Sequence, residues 1–106
     1  MKSVKRAVSP FARRLKEARI RKKVSQKELG VLVGIDKFSA SSRMNQYEKG
    51  KHAPDYSTVQ RIAEFMEVPA CYFYTEDDQL AEMILLFSRL DDGGRKGVMK
   101  KIKEVI

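Results

Sequence analysis

Apolar residues recur every three or four positions along most of this chain, which is the spacing of helices that bury one face. The first such segment opens at Ser9-Pro10, because serine caps a helix well and proline is tolerated in its first turn. It is predicted to end near Lys22. The apolar stripe is Phe11, Leu15, Ala18 and Ile20, and Arg13, Arg14, Lys16 and Arg21 are predicted to lie largely off it.

A second, shorter helix is predicted to begin at Ser25, because Ser25 and Glu28 have the spacing of a capping box. Gly34 is predicted to end this helix in the left-handed conformation that glycine adopts most easily. The apolar residues of the segment are Leu29, Leu32 and Val33.

A third helix is predicted over residues 40–48, after a turn at residues 36–39, with Ala40, Met44 and Tyr47 facing inward. Its outward positions carry hydrogen-bonding side chains, and a basic loop follows. Such a helix fits the major groove of DNA, where donors and acceptors read base edges, and the loop lies where a flanking phosphate would pass. The same residues could instead be the solvated side of a surface helix. The hydrogen-bonding residues of the helix are Ser41, Ser42, Arg43, Asn45 and Gln46, and the candidate phosphate contacts of the loop are Lys49, Lys51 and His52.

The rest of the chain is also predicted to be helical, and we see no credible strand. Asp55 can cap a fourth helix that ends at Val68-Pro69, and a short helical turn follows at residues 70–74. A helix over 76–90 and a last helix over 95–106 are separated by a predicted turn at 91–94. The predicted buried residues are Val59, Ile62, Ala63 and Met66, then Cys71, with Met83 and Met99 as core fillers; Tyr72, Phe73 and Tyr74 are interpreted as core or interface area. The two last helices carry apolar faces that need a partner, formed by Leu80, Met83, Ile84 and Phe87 and by Val98, Ile102 and Val105.

Charge is unevenly distributed over the 106 residues, which suffice for one domain and a small appendage. The net charge is +8, and residues 1–27 hold eleven Lys or Arg against one Glu. Residues 76–92 hold six acids against one Arg. A chain this basic usually meets a polyanion, although an acidic protein or an anionic membrane surface also fits the charge alone.

Several classes of protein are not favoured by the composition. Cys71 is the single cysteine, so an intramolecular disulfide is excluded, and this fits a reducing cytoplasm. The longest apolar run, residues 83–87, is too short to cross a bilayer, and the basic N-terminus lacks the apolar core of a signal peptide. His52 is the single histidine, and no metal cluster or paired nucleophile and base is visible, so we expect neither an enzyme nor a cofactor.

Several short stretches of the sequence together form a known pattern. They are Arg19, residues 25–30 (SQKELG), Gly34-Ile35, residues 44–54 (MNQYEKGKHAP) and residues 59–63 (VQRIA). With them the chain resembles the helix-turn-helix family of the phage repressor and Cro proteins, often called XRE-like regulators. The resemblance covers roughly residues 9–70 and implies an all-α fold with a five-helix repressor-like DNA-binding domain, which we place at 9–75. The residues outside it predict a basic arm at 1–8 and a C-terminal helical extension at 76–106.

The resemblance also implies roles for matching positions. Glu48 is expected to pair inside the domain with Arg19, although the two could be separate surface charges. Between Gly34 and Tyr47 the chain has about four residues more than the family's usual helix-turn-helix spacing. Either the turn before the third helix is longer, or that helix begins earlier, near Asp36. The expected DNA contacts are Gln26 with phosphate and Lys27 beside it, Ser41, Ser42 and Gln46 with bases, and Arg43 and Asn45 with base or backbone.

The function that the resemblance implies is a sequence-specific regulator of transcription, most often a repressor, that binds double-stranded DNA. Because one recognition helix reads few base pairs, such proteins usually act as two-fold symmetric homodimers. The apolar faces predicted after residue 75 would supply the interface, unless they complete the chain's own core. An alternative is an antitoxin-type interaction module that binds a foreign protein through residues 76–106 and its operator through the helix-turn-helix.

Overall fold

The computed structural model describes residues 8–106, and all regular structure in that range is helical. This confirms the all-α prediction. The predicted arm lies outside the described residues except for Val8, which is exposed. The elements are α1 Phe11–Lys22, α2 Gln26–Leu32, α3 Ala40–Glu48, α4 Tyr56–Met66, a 3-10 helix Ala70–Tyr74, α5 Asp78–Ser88 and α6 Asp92–Val105.

Local signals in the sequence set the ends of α2. The Ser25 hydroxyl accepts the amide hydrogen of Glu28 at 3.0 Å, and the Glu28 carboxylate accepts the amide hydrogen of Ser25 at 3.1 Å, so the predicted capping box forms. Gly34 follows α2 with a φ of +92°, a conformation that is strained for residues with a Cβ. Both predictions for this helix are confirmed.

Aspartates cap the later helices, and one of them changes the predicted boundary. Asp55 and Asp77 cap α4 and α5. Asp91 Oδ1 accepts the amide hydrogen of Gly94 at 2.7 Å, so residues 92–94 form the first turn of α6. The predicted turn at residues 91–94 was therefore wrong. The N-cap bond of Asp91 stabilises helix here more than the two glycines favour a turn.

The core lies where α1, α3, α4 and the 3-10 helix meet, beside α2. Phe73 is fully buried there, and its ring centroid lies 5.4 Å from that of Phe11. Burial was predicted correctly for most apolar positions up to residue 73. The exceptions are Ile20, Leu32 and Cys71, which are exposed on faces that turn away from this core.

Arg14 departs most from the sequence-based prediction, because its side chain is 5% exposed. Its guanidinium donates to the carbonyl oxygens of Thr75 at 2.8 Å and Glu76 at 3.0 Å, and to the Asp78 carboxylate at 3.0 Å. These acceptors satisfy the charge as the side chain leaves water, which makes its burial tolerable. Arg14 therefore connects α1 to the start of α5.

The two C-terminal helices differ in how far they join this core. In α5, Ala81 is buried, and Ile84 and Leu85 pack against the core. In α6 no residue is buried. None of the helices in residues 8–106 is long and apolar enough to cross a membrane. The prediction of Met83 and Met99 as core residues was wrong, because both are exposed. Leu80, Val105 and Tyr74 are exposed as well, and their assignment to an interface stays a prediction.

Candidate nucleic-acid interface

The pair α2 and α3 packs at unusually close range. A Cβ built on Gly30 would lie 2.8 Å from the Cβ of Ala40 and 3.0 Å from its carbonyl oxygen. Any side chain at position 30 would therefore push α3 away from α2. Sequence reasoning gave Gly30 no role, although a glycine inside a helix costs about 1 kcal/mol relative to alanine and so suggests close packing.

The sequence left open a longer turn between α2 and α3 or an earlier start of α3, and the structure has the longer turn. Because α2 ends at Leu32 and α3 begins at Ala40, the turn spans residues 33–39. Asp36 organises it: its carboxylate accepts the amide hydrogen of Phe38 at 3.1 Å, and its carbonyl oxygen accepts that of Ser39 at 3.0 Å. This turn fixes the register of α3.

The side of α3 that faces away from the core carries the predicted contact residues. Ala40, Met44 and Tyr47 are buried, as predicted. Between them, five polar side chains remain in contact with solvent. Ser41, Ser42 and Arg43 are exposed, and Asn45 and Gln46 are half-buried.

The basic loop after α3 folds back on the end of that helix. Gly50 adopts a φ of +71°, and the amide hydrogens of Lys51 and His52 are accepted by the carbonyl oxygen of Gln46 at donor–acceptor distances of 2.9 and 3.4 Å. Lys49, Lys51 and His52 are all exposed. The structure therefore brings the predicted phosphate-contacting loop next to the predicted base-contacting helix.

A hydrogen-bonded brace, formed by Arg19, Glu48, Gln26 and Asn45, joins α1, α2 and α3. The Arg19 guanidinium donates twice to the Glu48 carboxylate, once at 3.0 Å, and also to the carbonyl oxygen of Val24. The Arg19 side chain is 14% exposed and the Glu48 side chain is 3% exposed. The hydrogen bond with Glu48 raises the pKa of Arg19 above its ordinary value, so the guanidinium stays charged at neutral pH.

Gln26 belongs to the same brace. Its amide nitrogen donates to the Asn45 side-chain oxygen at 3.2 Å and to the Glu48 carboxylate at 3.2 Å. Because an amide nitrogen carries two hydrogens, both donors are engaged within the protein. The phosphate contact expected for Gln26 stays a prediction, and it requires one of these bonds to be exchanged. Lys27, the next residue, is exposed.

Arg61 is a further residue that the sequence reasoning missed. Its guanidinium donates to the carbonyl oxygen of Val33 at 2.7 Å and to the hydroxyl of Thr58 at 3.2 Å, so it ties α4 to the start of the long turn. The sequence signal that could have identified it is its position within residues 59–63, one of the stretches that carry the family resemblance. A tie of this kind holds the turn, and hence the start of α3, in one position.

Known proteins share both this sequence pattern and this arrangement. The chain is 25% identical over 87 residues to the cryptic phage CTXphi transcriptional repressor RstR of Vibrio cholerae, covering 77% of this chain and 75% of that protein. The crystal structure of the transcriptional regulator BswR superposes with a TM-score of 0.82 at 47% identity, covering 88% of this chain and 92% of that one. A family model described as a helix-turn-helix domain matches residues 12–79, well over half of the chain. The chain therefore belongs to the helix-turn-helix family, in the XRE-like group of transcriptional regulators that the sequence pattern indicated.

Proposed function

We propose that this protein is a sequence-specific regulator of transcription, acting as a repressor, that inserts α3 into the major groove of double-stranded DNA. One observation carries the proposal: α3 presents only polar side chains away from the core, in a position fixed by the Gly30–Ala40 contact. An α-helix fits the major groove, where such side chains reach base edges. The names of the two similar proteins, a transcriptional repressor and a transcriptional regulator, support the same function.

Within this interface, Gln46 is the residue that we expect to read a base. It lies on the outward side of α3 and is half-buried, so its side chain loses less conformational freedom on binding than a fully exposed one. Ser41, Ser42, Arg43 and Asn45 are expected to contact neighbouring bases or backbone. Lys49, Lys51 and His52 are expected to contact phosphate, which positions the protein without reading sequence.

Selection of bound sequences from a random duplex pool tests this function. Gln46→Ala should then cost about 1–3 kcal/mol on the selected site, relax specificity at one base pair and change random binding little. Lys51→Ala, the control on the loop, should weaken both kinds of duplex alike and lower the salt slope by about one. Equal losses of specific and random binding in Gln46→Ala would contradict the base-reading role.

We further propose that the protein acts as a homodimer in which α6 of one copy packs on α5 of the other. On α5, Leu80, Met83 and Leu86 line a groove together with the acidic Asp77 and Glu82. On α6, Met99 lies among Arg95, Lys96, Lys100 and Lys103. The two surfaces are complementary in charge and both are apolar at their centres, the pattern expected of an interface.

Charge exchange tests this pairing. Glu82→Lys and Lys100→Glu should each weaken self-association, because each places like charges in the interface. A mixture of the two variants should associate again, since both contacts in the mixed dimer join opposite charges. Sedimentation at several concentrations measures all three samples, with Lys27→Glu on α2 as a control for the charge change of Lys100→Glu.

Sedimentation of the unaltered chain decides between the homodimer and the alternative function. A chain that stays monomeric at micromolar concentration and occupies only one half-site would contradict the homodimer. The unpaired surfaces on α5 and α6 would then favour an antitoxin-type module with a foreign protein partner. If neither charge variant associates less than the unaltered dimer, the interface lies elsewhere.

A further inference from the structure

Phe38 stands in water at the tip of the turn that joins α2 to α3. The residue is 88% exposed, more than any other phenylalanine or tyrosine among residues 8–106. The ring therefore contributes little to the folded core. A single exposed apolar side chain needs no explanation by itself, but this one lies beside the proposed DNA-binding helix, where its ring is accessible to an apolar group of a partner.

The position of Phe38 relative to α3 suggests what that partner is. Residue 38 lies in the turn two positions before α3 begins at Ala40, so it stands at the N-terminal end of that helix. The N-terminal residues of recognition helices are the ones that contact base edges. The long turn therefore carries Phe38 to the leading end of the proposed interface.

The turn also holds this side chain in place. Asp36 accepts the amide hydrogen of Phe38 at 3.1 Å, which fixes the backbone at that residue. The Lys37 ammonium lies 5.2 Å from the centre of the Phe38 ring. An apolar ring and a cation are thus presented together, which suits a base and its neighbouring phosphate.

We propose that Phe38 is a specificity-determining residue that packs its ring on the 5-methyl group of a thymine in the major groove. A phenyl ring can neither donate nor accept an ordinary hydrogen bond, so it selects the apolar group that base pairs display in this groove, the thymine methyl. Aromatic wedges between bases enter from the minor groove, which α3 does not face in this arrangement. The inference rests on the proposed function, because it requires α3 to lie in the major groove.

Replacement of thymine by deoxyuridine in the selected duplex tests the proposal, because it removes only the methyl group. At one thymine of each half-site, replacement should lower the affinity of the unaltered protein. Each such replacement should cost about fourfold, the effect of one buried methyl group. Phe38→Ala should bind the thymine duplex about as weakly as the unaltered protein binds the deoxyuridine duplex, and should lose nothing further at that position. Because Phe38 is exposed, the variant should keep its melting temperature.

Leu32→Ala is the matched control. Leu32 is the last residue of α2, just before the same turn, and this apolar residue is 57% exposed. It should show the same loss as the unaltered protein when the methyl group is removed. The proposal is overturned if Phe38→Ala weakens every duplex equally, which would indicate contact with backbone or with a second copy of the chain. If the unaltered protein selects no duplex sequence at all, the proposed function itself fails, and this inference fails with it.

Discussion

The DNA-binding core and the two C-terminal helices are built from similar amphipathic segments, but only the core buries its apolar face within the chain. Leu29 on α2 and Met44 on α3 are 0% exposed. On α6, Met99 is 42% exposed, and Ile106, the residue after the last residue of α6, is 98% exposed. Periodicity thus predicts that a face is apolar, but not which molecule covers it.

The physical reason lies in what each region packs against. The core elements converge on Phe73 in the 3-10 helix, which α1 and α4 both contact. In contrast, α6 has no buried residue, and its Arg95 guanidinium lies 5.2 Å from the Phe87 ring of α5 and donates to the Phe87 and Ser88 carbonyl oxygens. Because Val98 and Ile102 are only half-buried and Met99 is exposed, part of the apolar face of α6 stays available for another molecule.

The largest expected effect is a difference between matched truncations in the two regions. Leu29→Ala removes a fully buried side chain and should lower the free energy of unfolding by about 4 kcal/mol at any protein concentration. If α6 forms the proposed homodimer interface, Ile102→Ala should change it by less than about 1 kcal/mol in dilute solution, where that dimer dissociates, and by more as the concentration rises. Denaturant unfolding at several concentrations measures both. Equal, concentration-independent losses would mean that α6 belongs to the core.

A smaller loss is expected from the brace that positions α3. Glu48→Ala leaves the Arg19 guanidinium without its carboxylate and should destabilise the fold by about 3 kcal/mol, at the low end for a buried pair because Arg19 keeps some contact with water. Lys22→Ala is the control, since its partner Glu67 is exposed and 4.0 Å away, and it should cost no more than about 1 kcal/mol. Thermal melts of Arg19→Ala, Glu48→Ala and the double variant complete the cycle. Additive losses would show that the two residues do not interact.

These cases also separate what could be predicted from the sequence from what could not. The capping box at Ser25 and the inward face of α3 depend on residues within a few positions, so local pattern was sufficient. The burial of Arg14 depends on backbone carbonyl groups more than 60 residues away, which no local pattern contains. The close approach at Gly30 is likewise a property of two helices together.

The two regions should respond in opposite directions to the same substitution at a glycine. Gly30→Ala should destabilise by about 2 kcal/mol, because the new Cβ collides with Ala40 across the α2–α3 contact. Gly97→Ala on α6 meets no atom within 4 Å and should stabilise by up to about 1 kcal/mol through helix propensity. Thermal melts of both variants measure this. A stabilising Gly30→Ala would mean that α3 moves away from α2 without cost.

The smallest effect concerns Asp78, which joins the two regions by its contacts with Arg13 and Arg14 at 3.1 and 3.0 Å. Hydrogen bonds from Arg13 and then Arg14 hold the pKa of this carboxyl below its ordinary value of 3.8. Because the folded pKa is the lower one, this contribution to stability is complete above the unfolded pKa and is lost as the pH falls through the folded pKa. The Asp78 side chain is 81% exposed, so salt and solvent keep the effect small.

Melting temperatures of the unaltered chain and Asp78→Asn, compared across this pH range, measure that contribution. The unaltered chain should be the more stable above a pH of about 5, and the difference should shrink as the pH falls below the ordinary aspartate pKa. A difference that stays constant with pH would show that Asp78 acts by shape rather than by charge. The contact between α1 and the start of α5 would then depend on the hydrogen bonds that Arg14 donates to the backbone carbonyl oxygens of Thr75 and Glu76.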